Sequence, residues 1–488
     1  MSNARNASHD VTLAELEDLA RSGLPVRSHS GQVRSGDIFV LLPGSGSDGS
    51  DYLAEALERG AGYVIVPAAC ACDTGAVTCL RHDNPRQALG ALAAASFATD
   101  ALPFPLIGVT GTNGKTTVSY LIEHLFAANG KRVGVVGTVS YRWPGHQELA
   151  TLTTPGCWQL HGLLARMRDS GVDAAVMEVS SHALDQLRVA GLRFQVGVWT
   201  NLTQDHLDYH GDMDTYFHAK AKLFREQDAR DKSAVLNWDD PYGRRLIDET
   251  PNILAYGLGP KPAALAPTAA LQGRILEKSI DGLRLRMEWG TRSWEFASPL
   301  VGGHNALNLL AAQAAGLCSG LTPEHLSVLE QFQGVPGRLE RIANRQGLYI
   351  FVDYAHTPDA LENVLRALRE QPLGRLITVF GCGGNRDRTK RPLMGQAVSR
   401  YSDIAVLTSD NPRHEEPLAI MDEIRPGLKQ CPMVLETPDR RKAIGLALDE
   451  MRAGDVLLVA GKGHESYQQI GDTKFPFSDQ AVIREYLG

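Results

Sequence analysis

Apolar residues fall in short dense runs along this chain, separated by segments of helical spacing. Within residues 1–100, Asp37–Leu41 and Tyr63–Val66 read as strands, and Tyr52–Arg59 and Arg86–Ala98 as helices. Residues 1–10 are polar and read as disordered, and Thr99–Pro103 reads as a linker. Beyond it, strands at Phe104–Val109, Arg132–Gly137, Ala174–Glu178 and Val196–Thr200 alternate with helical segments such as Thr116–Ala128. That rhythm predicts a parallel sheet with ligands at the carboxyl ends of its strands. Pro260–Trp294 turns Pro- and Ala-rich and then alternates strictly, as an antiparallel excursion would, before a long apolar helix at His304–Cys318. After a turn cluster at Gln333–Gly337 the strand–helix rhythm restarts, with strands at Tyr349–Val352, Leu376–Phe380, Ile404–Leu407 and Val456–Val459. An α/β protein of three domains is expected: a mixed α/β domain over 1–100, a central parallel-sheet domain over 101–336 and a Rossmann-like α/β domain over 337–488.

Composition narrows the class. With 43% apolar residues among 488, the chain can fill several cores. A formal charge of -7 with both signs interspersed argues against a nucleic-acid coat protein or a polybasic membrane binder. No run reaches the ~20 apolar residues of a membrane span, and the N-terminal residues lack the apolar core of a secretion signal. A soluble cytoplasmic protein is expected. Its seven cysteines have no framework spacing, and they read as free thiols in a reducing compartment despite the Cys70–Cys72 pair.

The sharpest chemical signal runs from Ile107 to Thr117, where a strand passes through a glycine-rich turn into a helix. Gly111, Thr112, Asn113 and Gly114 can turn successive backbone N–H groups toward phosphate oxygens, and the helix start adds positive potential. Lys115 supplies a charge for the outer phosphates, Thr116 a hydroxyl for magnesium, and Thr117 continues the helix start. Val109 stands where the strict phosphate-loop pattern has glycine, so the loop is a variant. The expectation is ATP binding.

Further strings follow in order: Thr153–Pro155, Glu178–Ala183, Thr200–Asp208, Tyr209–Asp212, Gly303–Asn308, Pro336–Glu340, Asp353–Pro358, Gly381–Gly384, Asp410–Arg413 and Gly461–Glu465. Together with the phosphate loop they make the chain resemble the Mur ligase family, and within it the ligases that add the third residue of the peptidoglycan stem peptide. The likeness spans residues from about 105 to 465 and is weaker before residue 100. There Ser30 keeps the place of a uridine-site serine, but its neighbours are His29 and Gly31 rather than charged residues.

The resemblance implies an ATP-dependent amide ligation in which the D-glutamate γ-carboxylate of UDP-N-acetylmuramoyl-L-alanyl-D-glutamate is phosphorylated, and an amine then displaces phosphate. It implies two magnesium ions, held by Thr116, Glu178, His206 and an N-carbamoylated Lys220. The carbamate turns a repelling cation into an anionic ligand, and Lys222 lies too far around the same helix to share the role. Ser30, Thr153, Thr154, Ser180, Gln186 and Arg188 match positions that hold the muramoyl dipeptide, with Arg188 suited to a carboxylate. Asn305 and Asn308 would meet the base of ATP, and Arg338, Asp353 and His356 its phosphates and metal, so closure of the third domain is expected to complete the site. The enzyme is expected to act as a monomer.

The resemblance implies that the donor is meso-diaminopimelate or L-lysine, which differ by one distal carboxylate. Asp410, Asn411, Pro412 and Arg413 match the diaminopimelate motif, and Arg413 would attract that carboxylate and repel lysine's ammonium. Arg386 would add a carboxylate contact, Gly461 backbone groups and Glu465 a partner for the distal ammonium. The same tetrapeptide occurs at Asp83–Arg86, and the later copy is preferred because Gly381–Gly384 and Gly461–Glu465 accompany it. A lysine-adding relative, another Mur ligase, a folylpolyglutamate synthase and a phosphate-loop ATPase without ligase activity are the competing readings.

Overall fold

Strand Leu106–Thr110 is buried along its whole length, as a parallel strand covered on both faces requires. It lies at the middle of a sheet in the order Ile253–Gly257, Ser233–Asn237, Val196–Trp199, Leu106–Thr110, Ala174–Glu178, Val133–Val136. All of these pair in parallel. Ser140–Trp143 and His146–Leu149 then extend the edge antiparallel. The structure, a computed structural model, describes residues 11–42, 49–74, 77–225, 232–371 and 374–488. The polar segment expected over residues 1–10 lies outside them.

The chain folds as two compact units, Met1–Leu271 with Ala311–Leu326, and Gln272–Leu310 with Ser327–Gly488. The first unit also holds a four-stranded parallel sheet, in the order Val26–Arg27, Ile38–Val40, Tyr63–Pro67, Thr78–His82. Helices Leu13–Arg21 and Pro85–Phe97 pack through Leu16, Ala20, Ala88 and Leu92 against Val26, Ile38 and Ile65 of this sheet. Thr12 and Glu15 form a capping box that starts the first helix, a signal in the sequence that the hydrophobic pattern alone passes over. Asp83–Arg86 starts the other: the Asn84 side chain accepts from Gln87 N, and Pro85 occupies the first turn. The earlier copy of the tetrapeptide is therefore a helix cap.

In the second unit a six-stranded sheet runs Glu340–Arg341, Tyr349–Asp353, Val456–Ala460, Leu376–Phe380, Ile404–Leu407, Met433–Glu436. Only its first strand is antiparallel. Apolar clusters fill both faces, one including Phe351, Leu361, Phe380 and Met394, the other Ile350, Ile377, Ile444 and Ile483. The predicted antiparallel excursion is there as the strand Ala270–Ser279 and the hairpin Gly282–Trp289 with Arg292–Ser298. A fully buried pair, Arg440 with both carboxylate oxygens of Asp479 at 2.8 and 2.7 Å, ties the last helix, Asp479–Leu487, to helix Arg440–Glu450. Such a pair costs about 3–5 kcal/mol when one partner is left alone, so it fixes that docking.

Cys70 and Cys72 are joined in the structure, which corrects the free-thiol expectation for that pair; Cys79, Cys157, Cys318, Cys382 and Cys431 are thiols. Among the described residues no helix is long and apolar enough to cross a membrane.

Candidate functional site

The phosphate loop is fastened from behind by the segment after the neighbouring strand Val196–Trp199. Thr112 N donates to Asn201 O at 2.9 Å, and Asn113 N to the Asn201 side chain at 2.9 Å. Thr200 Oγ1 and Asn201 Nδ2 donate to Asn113 O at 2.6 and 3.2 Å. Gly111 has φ +148, and a Cβ there would lie 1.9 Å from Thr200 Oγ1, so a side chain at this position would break the fastening. Gly114 and Lys115 then lead into helix Lys115–Ala128. Thr200, Asn201 and Thr203 fall within the family strings, but sequence reasoning gives them no role.

Two ammonium groups meet on this loop. Lys115 Nζ donates to Gly111 O and Thr112 O at 2.8 and 2.9 Å, and Lys220 Nζ donates to the same Gly111 O at 2.8 Å. Lys220 comes from helix Met213–Arg225 and is 1% exposed, whereas Lys222 faces outward and pairs with Asp185. Of the two lysines, only Lys220 reaches the loop. Burial, and then the charge of Lys115, hold the Lys220 ammonium well below the ordinary lysine value. A buried amine that gives up its proton readily is the nucleophile that carbamate formation needs.

Glu178 closes its strand fully buried. Its carboxylate accepts from Thr116 Oγ1, Thr138 N and Thr138 Oγ1, each at 2.9 Å. Thr116 and Glu178 thus converge, and both offer the hard oxygen donors that magnesium prefers. Thr138, which bonds Thr153 at 3.1 Å, is a member that the sequence reading missed. His206 sits at φ +52 with its ring 4.9 Å from that of His182. Burial holds its imidazolium below the usual range against the pull of Asp205, and the nearby charges of Lys115 and Lys220 add to the effect. Neutral imidazole is the ligating form. Among the described residues no three His, Cys, Asp or Glu side chains cluster as a ready-made cage. The side chains here that could serve as donors are hydroxyl, carboxylate and imidazole, and Lys220 could join them only if carbamoylated.

Around the end of the same strand, the expected dipeptide-binding residues form one network. Thr154 Oγ1 donates to Glu178 O at 2.8 Å and accepts from Ser180 N at 3.1 Å. Arg188 donates to Thr154 O at 2.9 Å and holds the Gln186 side chain with two further bonds at 3.1 and 2.8 Å. Beside them opens a cavity of about 430 Å³, whose lining includes Arg27, His29, Gln32, Arg86, Trp158 and Arg188. Three guanidinium groups and an indole suit an anionic, partly aromatic ligand. Ser30 is buried and donates to Glu55 at 2.5 Å, so its neighbours His29 and Gln32, rather than Ser30, reach that cavity.

In the second unit, Asn305 and Asn308 are buried on helix Gly303–Cys318 and bond each other at 3.0 Å. Asp353 ends its strand, accepting from Leu339 N and Ala355 N, and burial pushes its carboxyl up against the pull of Arg338. Arg338 stacks 4.6 Å over Tyr354, whose carbonyl bonds His356 Nδ1 at 2.8 Å.

The expected amino-acid site lies at the carboxyl ends of Leu376–Phe380, Ile404–Leu407 and Val456–Ala460. Arg413 has left-handed backbone, φ +52, and its Nη1 donates to Gly384 O at 2.7 Å. Its N and O pair with Gln469 O and Gly471 N of a small hairpin, Tyr467–Ile470 with Thr473–Pro476. A Cβ on Gly384 would strike Pro412 O at 1.9 Å, so the two loops can interlock only with glycine there. Buried Arg391 clamps Glu415 with two bonds of 2.9 Å and also reaches Glu423, which holds the Arg413 loop from outside. Asp410, Asn411 and Glu465 converge, with Asn411 Nδ2 bonding Glu465 at 2.8 Å, and Gly461 N bonds Asp353 O at 3.0 Å. Arg386 is exposed on the neighbouring loop.

Residues 109–316 match the Mur ligase middle domain and residues 337–463 the Mur ligase, glutamate ligase domain. The UDP-N-acetylmuramoyl-L-alanyl-D-glutamate--2,6-diaminopimelate ligase of Lawsonia intracellularis is 52% identical over 471 residues, covering 96% of this chain and 97% of its own. The Synechococcus elongatus protein of the same name is 46% identical over 476 residues, covering 96% and 94%. A solved structure with that name superposes with a TM-score of 0.71 at 35% identity, covering 95% of this chain and 94% of its own. A Thermotoga maritima MurF ligase in complex with ADP shares the fold at 19% identity and a TM-score of 0.59. With both of its ligase domains matched and full-length relatives above two-fifths identity, this chain belongs to the Mur ligase family.

Proposed function

We propose that this chain is the ATP-dependent ligase that joins meso-2,6-diaminopimelate to UDP-N-acetylmuramoyl-L-alanyl-D-glutamate in the cytoplasm, acting as a monomer in peptidoglycan precursor synthesis. Three functional segments, 1–100, 101–336 and 337–488, would divide the work between nucleotide sugar, ATP and amino acid. The observation that carries the reading is Arg413, aimed by a left-handed backbone and a glycine-bound side chain, beside Asp410, Asn411 and Glu465.

In this reading the loop N–H groups from Gly111 to Thr116 hold the triphosphate, and Lys115 turns from the loop carbonyls to the outer phosphate oxygens. Thr116 and Glu178, with His206 and carbamoylated Lys220, would hold magnesium, which supplies charge neutralisation between the two anions that must meet. Arg188, fixed by Thr154 and Gln186, keeps the dipeptide's carboxylate in line with the γ-phosphate. The γ-carboxylate oxygen bonds to that phosphorus as the bond to ADP breaks. The neutral amine of the donor then attacks the acyl carbon, loses a proton and releases phosphate. Arg413 and Arg386 take the distal carboxylate, and Glu465 the distal ammonium. Asn305 and Asn308 would face the base, with Arg338, Asp353 and His356 toward the phosphates.

Phosphate release measured with UDP-muramoyl dipeptide and a panel of diaminopimelate isomers, lysine and ornithine tests this. Release is expected only with the dipeptide and an amine together, and fastest with meso-diaminopimelate. ATP hydrolysis indifferent to both would mark a plain ATPase, and lysine as the best donor would move the chain to the lysine-adding class.

Lys220 can be examined separately. Lys220→Ala is expected to lose about 10²–10³-fold in kcat, as removal of one anionic group from a phosphoryl-transfer site does. Short-chain carboxylates should restore part of it by entering the vacated space. Activity undiminished in the variant would remove the carbamate from the reading.

A further inference from the structure

Lys462 is the largest feature of the amino-acid site that the proposed roles leave out. Its side chain is 0% exposed, yet its Nζ stands among the groups expected to read the donor. It donates to Asn411 Oδ1 at 3.0 Å and to Glu465 Oε2 at 3.1 Å, and lies 3.7 Å from Asp410 Oδ1. Asn411 is fixed a second time, because its Oδ1 also accepts from Gln469 N at 2.9 Å while its Nδ2 holds the same Glu465 oxygen. Tyr467, on the hairpin that pairs with Arg413, lies 5.7 Å from the ammonium.

Two consequences follow from electrostatics. Carboxylates only 18% and 8% exposed repel each other unless a cation sits between them, and Lys462 is that cation. It also sets the charge that the donor meets. Lys462 offsets one of the two carboxylates, Asp410 and Glu465, behind the donor site, so the arginines that are to take the distal carboxylate, Arg413 and Arg386, are not opposed by both. Without it, the same site is one charge more negative, which shifts its match toward a donor with one ammonium more than carboxylates.

The geometry points to Lys462 as a positioning residue that determines donor specificity: it orients Glu465 through a direct bond and, by neutralising one carboxylate, selects a doubly zwitterionic diamino diacid over a diamino monoacid. This rests on the diaminopimelate reading above. Arg413 discriminates by touching the extra carboxylate; Lys462 discriminates without touching the donor, through the charge of the cluster behind it.

The test compares kcat/KM for meso-diaminopimelate and L-lysine in wild type, K462M, K462Q and K462R, with a thermal melt of each protein. The neutral variants are expected to lower the diaminopimelate-to-lysine ratio by about tenfold or more, the scale of one mismatched charge in a buried site. K462R should hold the wild-type ratio, and the KM for ATP should stay level throughout. K462Q, whose amide can still donate to Glu465, carries the comparison should K462M not fold. A merely structural lysine would depress both donors alike and leave the ratio untouched, and that result in whichever neutral variant folds overturns the inference. Wild type that fails to prefer diaminopimelate would instead overturn the reading on which it rests.

Discussion

Lys115→Ala is expected to lose about 10³-fold or more in the rate of ligation while melting at the wild-type temperature. The two halves of that expectation have different sources. The loop is held by Thr200, Asn201 and Thr203 through backbone and side-chain bonds in which the Lys115 side chain takes no part. Its shape should therefore survive the substitution. What disappears is a mobile charge, now folded back over Gly111 O and Thr112 O, that no other residue on the loop can supply. Arginine should not replace it, because a planar fork cannot occupy the space where Lys115 and Lys220 already share one carbonyl oxygen. Phosphate release beside a melting curve decides the matter: a variant that keeps a tenth of the activity would put the triphosphate elsewhere.

Arg413→Ala should cost about 10²–10³-fold in kcat/KM for diaminopimelate, with the KM for ATP unchanged within about twofold. The guanidinium is expensive to place: its residue carries positive φ, its backbone is pinned to the hairpin at Gln469 and Gly471, and Arg391 braces the loop through Glu415. Such preorganisation is useful only if the ligand group it meets is charged and planar. Lysine, which lacks that group, should lose nothing further in the variant. Arg413→Lys should recover little, since an ammonium cannot span both carboxylate oxygens. Diaminopimelate kinetics unchanged in the alanine variant would end the specificity argument.

Much of the fold can be read from the letters where a segment is buried on both faces. Ala174–Glu178, Leu376–Phe380 and Ile404–Leu407 stand where the apolar runs put them, and the ends of the other expected strands move by a residue or two. The parallel and largely buried strands Ser233–Asn237 and Ile253–Gly257 nevertheless escape the reading. Strands with a solvated side escape the same reasoning. Thr78–His82 and His146–Leu149 carry polar residues at the edges of their sheets, and nothing in their hydrophobicity announces them. The site divides in a similar way. Residues named by their chemistry, such as Lys115, Glu178 and Arg413, stand out in sequence. Those that act by holding others do not: Thr138 on Glu178, Asn201 on the phosphate loop, Arg391 on Glu415 and Lys462 on Glu465 are joined only by the fold. Ser30 is the converse, a residue matched by position whose hydroxyl is spent on Glu55.

The twin occurrences of Asp-Asn-Pro-Arg bear on how such donor pockets can be found in other genomes. At Asp83 the word spells the opening of a helix, and at Asp410 a bent loop whose last residue is left-handed. A search by that word alone would return both with equal weight. Gly383 and Gly384 tell them apart, because a β-carbon at either would meet the arginine fork or the proline carbonyl. A filter that asked first for the paired glycines some thirty positions upstream would discard the impostor from the letters alone.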